Sequence, residues 1–184
     1  MIPSQGGIFI LLIMAVPAIL SKTDFIGYYN VELTGYSLTD KEASIIEYEE
    51  YYLKKLMGET LYADYAANST ATKWTDFING KTYTDYNGEA KVWQANDLKK
   101  LLLGFIYYDL VKEGRDKQTI TGYVRPKNEN SERVSDLKQL ELMCERWNKS
   151  ISYYHKAYYF FLNFNTTYDT WEYTALDFKE IFNY

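Results

Sequence analysis

The sequence predicts a mainly α fold: a small helical bundle with three main helices, an extended strand-like insertion loop between the last two, and extended N- and C-terminal arms. Three observations carry this. Leu140, Cys144, Trp147, Ile151, Tyr154, Tyr158 and Phe161 recur in alternating steps of four and three, the spacing of one packing stripe along a long helix. Leu98, Leu101, Leu102, Phe105, Tyr108 and Val111 give a second, strongly apolar helical pattern. Only 3 prolines and 10 glycines fall in 184 residues, so few positions force a break.

Residues 1–36 form the N-terminal arm and loop. Ile8 to Leu20 is an almost continuous apolar run. It falls short of the about 20 residues that span a membrane. Its length matches a signal-peptide core, but residues 1–7 contain no Lys or Arg. The β-branched Ile8, Ile10, Ile13 and Val16 suit an extended arm buried in a neighbouring subunit, or a strand in the domain's own core. An arm or core strand, a leader and a membrane anchor are thus the readings of this end. In the arm reading, Phe9, Leu11 and Ile13 make the contacts. Residues 21–36 read as loop.

The bundle spans residues 37–162. Ser37 or Thr39 caps the first helix, and Asp40 and Glu42 favour its positive end. Ile45, Ile46, Tyr48, Tyr52, Leu53, Leu56 and Met57 line one broad face, and Gly58 stops the helix. Glu47, Glu49 and Glu50 precede Lys54 and Lys55, so Glu50 and Lys54 pair on a solvated face. A short helix or turn follows over Glu59 to Ala67, then an apolar segment around Trp74, Phe77 and Ile78. Asn79-Gly80 and Asp85–Gly88 are turn signals, and Lys81–Thr84 between them forms a small strand in a loop or hairpin hanging between helices.

The second main helix runs from about Gln94 to Lys112, with Asn96 or Asp97 as cap, and its apolar segment stops at Gly114. The insertion covers 115–132. Within it Thr119, Ile120, Thr121, Gly122, Tyr123 and Val124 alternate polar and apolar like a half-buried strand. The third helix starts at Ser135-Asp136. Val134 and Leu137 extend its seam backwards, and from Val134 to Phe161 it measures about 40 Å at 1.5 Å per residue. Residues 163–184 are the C-terminal arm, with one short helix around Ala175 to Phe182. Trp171, Phe178 and Phe182 are its docking residues.

Composition narrows the function. Net charge is −5, and the basic clusters are short, which argues against sequence-specific DNA binding. The single cysteine, Cys144, permits no intrachain disulfide and lies on the seam as a buried structural thiol. One histidine, His155, rules out a multi-histidine metal site, and no Glu-x-x-His pair exists. Phosphate-loop, dinucleotide and Gly-x-Ser-x-Gly patterns are missing too. The sequence therefore points to neither an enzyme nor a cofactor-binding protein. The 20 tyrosines fit a helical core and broad contact surfaces alike. Asn68, Asn148 and Asn165 open Asn-x-Ser/Thr triplets that arise readily by chance. Gly104 reads as a packing glycine.

Three stretches resemble the head-to-tail connector, or adaptor, proteins of tailed bacteriophages, most of all those of crAss-like phages. They are the acidic helix I-I-E-Y-E-E-Y-Y-L-K-K-L-M-G-E-T-L-Y (45–62), the buried helix leading to a Thr-x-Thr-Gly-x-Val strand (101–124), and the Asn-Glu-Asn-Ser-Glu segment (128–132) that opens a long helix. The resemblance covers roughly residues 24–162. It implies a ring of about twelve copies below the portal protein, around the channel for genomic DNA. The DNA passes without sequence-specific binding, and the ring docks the next neck ring or tail protein. It also implies a place at the neck of the virion, assembly in the host cytoplasm, no cofactor, no metal and no membrane. Thr119 to Val124 and the C-terminal tail would embrace adjacent subunits. The chain departs from this pattern at its start, where Ile8 to Leu20 is more apolar than a solvent-exposed arm. The competing reading is a secreted or periplasmic helical binding module with a cleaved N-terminal leader.

Overall fold

Gly58 sets the first corner of the chain. The computed structural model describes residues 18–31, 38–116, 118–119, 122–123 and 136–180. Helix α1 (Leu38–Met57) ends where Gly58 takes φ +81°, a backbone region that a Cβ disfavours. Helix α2 (Glu59–Asn68) begins at once and is followed by α3 (Thr72–Asn79). Strands β1 (Gly80–Thr84) and β2 (Ala90–Gln94) then pair antiparallel, from Gly80 opposite Gln94 to Thr84 opposite Ala90. Asp85 closes their turn by accepting the N–H groups of Asn87 and Glu89, both at 2.9 Å. Helix α4 (Ala95–Asp116) and helix α5 (Asp136–Asn163) form the principal pair. Between them lie β3 (Gln118–Thr119) and β4 (Gly122–Tyr123).

The chain is thus mainly helical, with α2 and α3 added to the three long helices. The small hairpin does not hang free. Trp93 of β2 stacks on Phe77 at 5.3 Å with rings nearly parallel, and its indole N–H donates to Phe77 O. Phe77 in turn meets Phe161, and Trp74 meets Tyr65 and Tyr168. Burial of a Phe side chain contributes roughly 1.5–3 kcal/mol relative to exposure, so this aromatic cluster anchors α3, the hairpin and the end of α5 together.

The seam on α5 is largely as its spacing predicts: Cys144, Trp147, Ile151, Tyr154 and Phe161 are buried. Leu137, expected to extend it, is 57% exposed. Ile46 on α1 is also exposed while Ile45 is buried, because adjacent helical positions lie about 100° apart and the buried face is narrower than expected. Helix α4 continues through Gly114 to Asp116. A helical glycine costs about 1 kcal/mol against alanine, but it stops a helix only by turning left-handed, as Gly58 does. Asp97 is the N-terminal signal of α4: its carboxylate reaches back to the N–H of Gln94 at 2.9 Å.

The largest departure is at the C-terminal end. Residues 171–180 contain no helix. Their polar groups are committed to α1 and α5 instead of to one another. This strap runs back along α5: the Trp147 indole donates to Asp177 O at 2.9 Å, and the Asn148 amide exchanges two hydrogen bonds with the backbone of Lys179. It also finishes α1. The last four carbonyls of that helix receive Gly58 N–H, the Tyr154 hydroxyl, the Trp171 indole N–H and Glu172 N–H. Tyr168 is 2% exposed and donates to Lys73 O, so much of the predicted arm belongs to the core.

The Asn148 side chain thus both donates to and accepts from the strap. Asn148→Ala is expected to cost about 1–3 kcal/mol through the two lost bonds. Hydrogen exchange should show the amide of Lys179 losing protection, with the centre of α4 unchanged. Unaltered exchange at Lys179 would mean the end of the strap is held without Asn148, by contacts such as the Trp147 bond to Asp177 O.

Candidate interaction site

Within the insertion, β3 and β4 pair antiparallel, while residues 115–116 belong to α4. Gln118 pairs with Tyr123 and Thr119 with Gly122, leaving residues 120–121 to connect them. One strand over Thr119–Val124 is therefore replaced by two short antiparallel strands. Alternation over so few residues is shared by a strand and by a tight hairpin, and it cannot tell them apart. Thr119, Gly122 and Tyr123 fall at paired positions. Ile120, Thr121 and Val124 lie outside the described residues.

Its mount is rigid for identifiable reasons. Gly104 lets α4 and α5 approach so closely that a Cβ there would sit 2.3 Å from Arg146 O and 2.2 Å from Ser150 Oγ. Ser150, fully buried, donates to Lys100 O at 3.0 Å. Lys156 pairs with the buried Asp97 near the start of α4. On the other side, Tyr48 and Tyr52 of α1 donate to Glu113 and Asp109 of α4. Burial pushes the Asp109 carboxyl above its ordinary range despite the bond from Tyr52. Both tyrosine hydroxyls are likewise held above theirs, first by burial and then by these carboxylates.

Besides Asp97, two charged residues are buried among the described residues, Glu49 and Arg146. Glu49, expected on the solvated face, is 4% exposed and accepts the N–H groups of Ile19 and Leu20, each at 2.8 Å. It fixes the end of the apolar N-terminal run, of which Leu20 is buried. Arg146 is 8% exposed, with its guanidinium 4.0 Å from the Tyr107 ring centroid and 4.8 Å from that of Tyr28. A signal for Arg146 exists in the sequence. Met143, Ser150, Ala157 and Phe160 form a second stripe beside the seam, and Arg146 falls on it. Glu49 carries the same kind of signal, since it falls between Ile45 and Tyr52 on the apolar face of α1; its partners, being backbone amides, carry none.

Burial raises the Glu49 carboxyl pKa, and its two backbone bonds oppose that only in part. For an acid whose folded pKa is raised, the stabilising contribution is complete below the unfolded value, here near 4.5, and is lost as pH rises through the folded value. Against Glu49→Gln, the natural chain should therefore lose relative stability between about pH 4 and pH 7. Urea unfolding at the two pH values reads this. A relative gain for the natural chain at pH 7 would show that the backbone bonds outweigh burial.

A second surface lies between the β1–β2 hairpin and α5. It is a groove of about 510 Å³, with Tyr83, Tyr86 and Val92 on one wall and His155, Tyr159 and Leu162 on the other. His155 is exposed and meets Phe178 edge-on at 6.2 Å. Among the described residues no group of three or more His, Cys, Asp or Glu side chains is placed to hold a metal ion, and no helix is long and apolar enough to cross a membrane.

Of the expected arm contacts, Trp171 is turned onto its own domain, stacked on Phe161 at 5.6 Å with its indole on Leu56 O. Phe178 is 58% exposed. Phe9, Leu11, Ile13 and Phe182 lie outside the described residues. Comparison with protein-family models, with curated proteins and with solved structures finds no match to this chain.

Proposed function

We propose that this chain is a structural virion protein, a head-tail adaptor that works by oligomerising into a ring below the portal, around the path of the DNA. The observation that supports it is the β3–β4 hairpin placed between two long helices that are locked together at Gly104. In this reading α1, α4 and α5 are the frame of a three-helix bundle. The hairpin is the element that grips the adjacent subunit, with Thr119 to Val124 at its centre. Exposed backbone edges of a short hairpin are ready partners for another chain. The ring offers its other face to the next neck ring or tail protein and needs no cofactor.

Deletion of residues 117–126 tests this. The variant should keep the helical signal and cooperative unfolding of the natural chain. Its self-association should weaken at least about tenfold, equivalent to about 1.4 kcal/mol. The mass of the assembled species, measured with portal protein present and for the chain alone, gives the readout. Unchanged assembly by the deletion variant would remove the hairpin as a contact. A chain that stays monomeric alone and with portal protein would end the ring reading.

A further inference from the structure

The groove between the β1–β2 hairpin and α5 is apolar at its rim. Tyr86, Val92, Tyr159 and Leu162 are 81%, 46%, 56% and 38% exposed and border the same depression. Clustered apolar exposure of this kind marks a contact surface. The charges lining it are already committed. Lys91 pairs with Glu89 at 2.5 Å and with Asp85 at 3.6 Å, and Lys156 pairs with Asp97. A charged ligand would have to break these pairs, whereas an uncharged apolar segment would not.

The chain carries such a segment. Residues 8–17, I-F-I-L-L-I-M-A-V-P, hold no charge and precede Ala18, the first described residue. They leave from a fixed point, since Glu49 holds the N–H groups of Ile19 and Leu20 on α1. Helix α1 contributes no residue to the groove. Fully extended, ten residues span about 33 Å, while a five-residue strand such as β2 occupies about 17 Å. The segment is thus long enough to cross a gap between molecules and still fill the groove.

We propose that residues 8–17 of one copy dock in the β2–α5 groove of a second copy, with their apolar side chains against Tyr86, Val92, Tyr159 and Leu162. This deepens the ring reading by naming a joint between neighbours. The test uses the full chain with Val92→p-benzoylphenylalanine, a photo-crosslinking residue, in an equal mixture of ordinary and nitrogen-15-labelled copies. After irradiation, mass spectrometry should find residue 92 joined to residues 8–17 of the other isotopic form. Tyr159→Glu should lower self-association about tenfold. Products confined to one isotopic form would mean that each copy fills its own groove, and products lacking residues 8–17 would give the groove another occupant; either overturns the proposal. Particle mass is read in parallel. A ring-sized species without the 8–17 product sinks the docking and spares the ring. Mixed products from a species of only two copies uphold the docking and sink the ring. Monomers without mixed products sink both.

Discussion

Trp147→Ala lowers the stability of the folded chain by about 3–5 kcal/mol, the usual cost of truncating a buried aromatic. Trp147 is 7% exposed and meets Phe105, Tyr108 and Tyr52 at centroid distances of 4.6, 5.1 and 6.0 Å. It therefore joins α1, α4 and α5 at one point. Its indole also holds Asp177 O, so the same substitution loosens the C-terminal strap. Chemical unfolding followed by far-ultraviolet circular dichroism gives the stability change. A cost below about 1 kcal/mol would show that the three helices are held elsewhere, with the aromatic cluster around Phe77 the first place to look.

Gly104→Ala is the second large effect. A single methyl group there meets a carbonyl oxygen of the facing helix at 2.3 Å and the Ser150 hydroxyl at 2.2 Å. Overpacking of this kind costs about 1–3 kcal/mol. The Ser150 contact is removable, but the Arg146 carbonyl belongs to the backbone of α5 and yields only if the whole helix shifts. Adding Ser150→Ala should therefore leave Gly104→Ala as destabilised as before, because relief at one contact does not relieve the other. Recovery of the natural midpoint in the double variant would place the whole clash at the hydroxyl and show that α5 has room to move.

These two positions illustrate what the sequence discloses. Trp147 lies on a stripe whose four-three spacing is visible by inspection, and its burial follows from that spacing. Gly104 is visible as an isolated glycine in an otherwise unbroken apolar helix, where packing is the only economical reason to tolerate it. Periodicity speaks for side chains that face one direction. It is silent on partners that are backbone atoms far along the chain. Glu49 sits at helical spacing from Ile45, Tyr52 and Leu56, so its burial is legible, but the two amides that bind it, 29 and 30 residues away, are not. The strap over 171–180 carries the composition of a short helix, and its hydrogen bonds to α1 and α5 outbid that local preference. For the candidate interaction site, the place of β3 and β4 between two long helices was legible from the helical patterns on either side. Its reversal into β3 and β4 was not, since two residues per strand are too few to show a period.

The capping of α1 has a consequence for how the molecule is made. The helix ends near the first third of the chain, but the indole that satisfies one of its final carbonyls is 115 residues further on. At a synthesis rate of about 5–20 residues per second, that interval is on the order of ten seconds. Throughout it the emerging α1 lacks the strap partners of its Leu56 and Met57 carbonyls. The first long helix to leave the ribosome is thus among the last to be completed. A nascent chain halted before Trp171 holds an unfinished core, however much of its sequence has been translated.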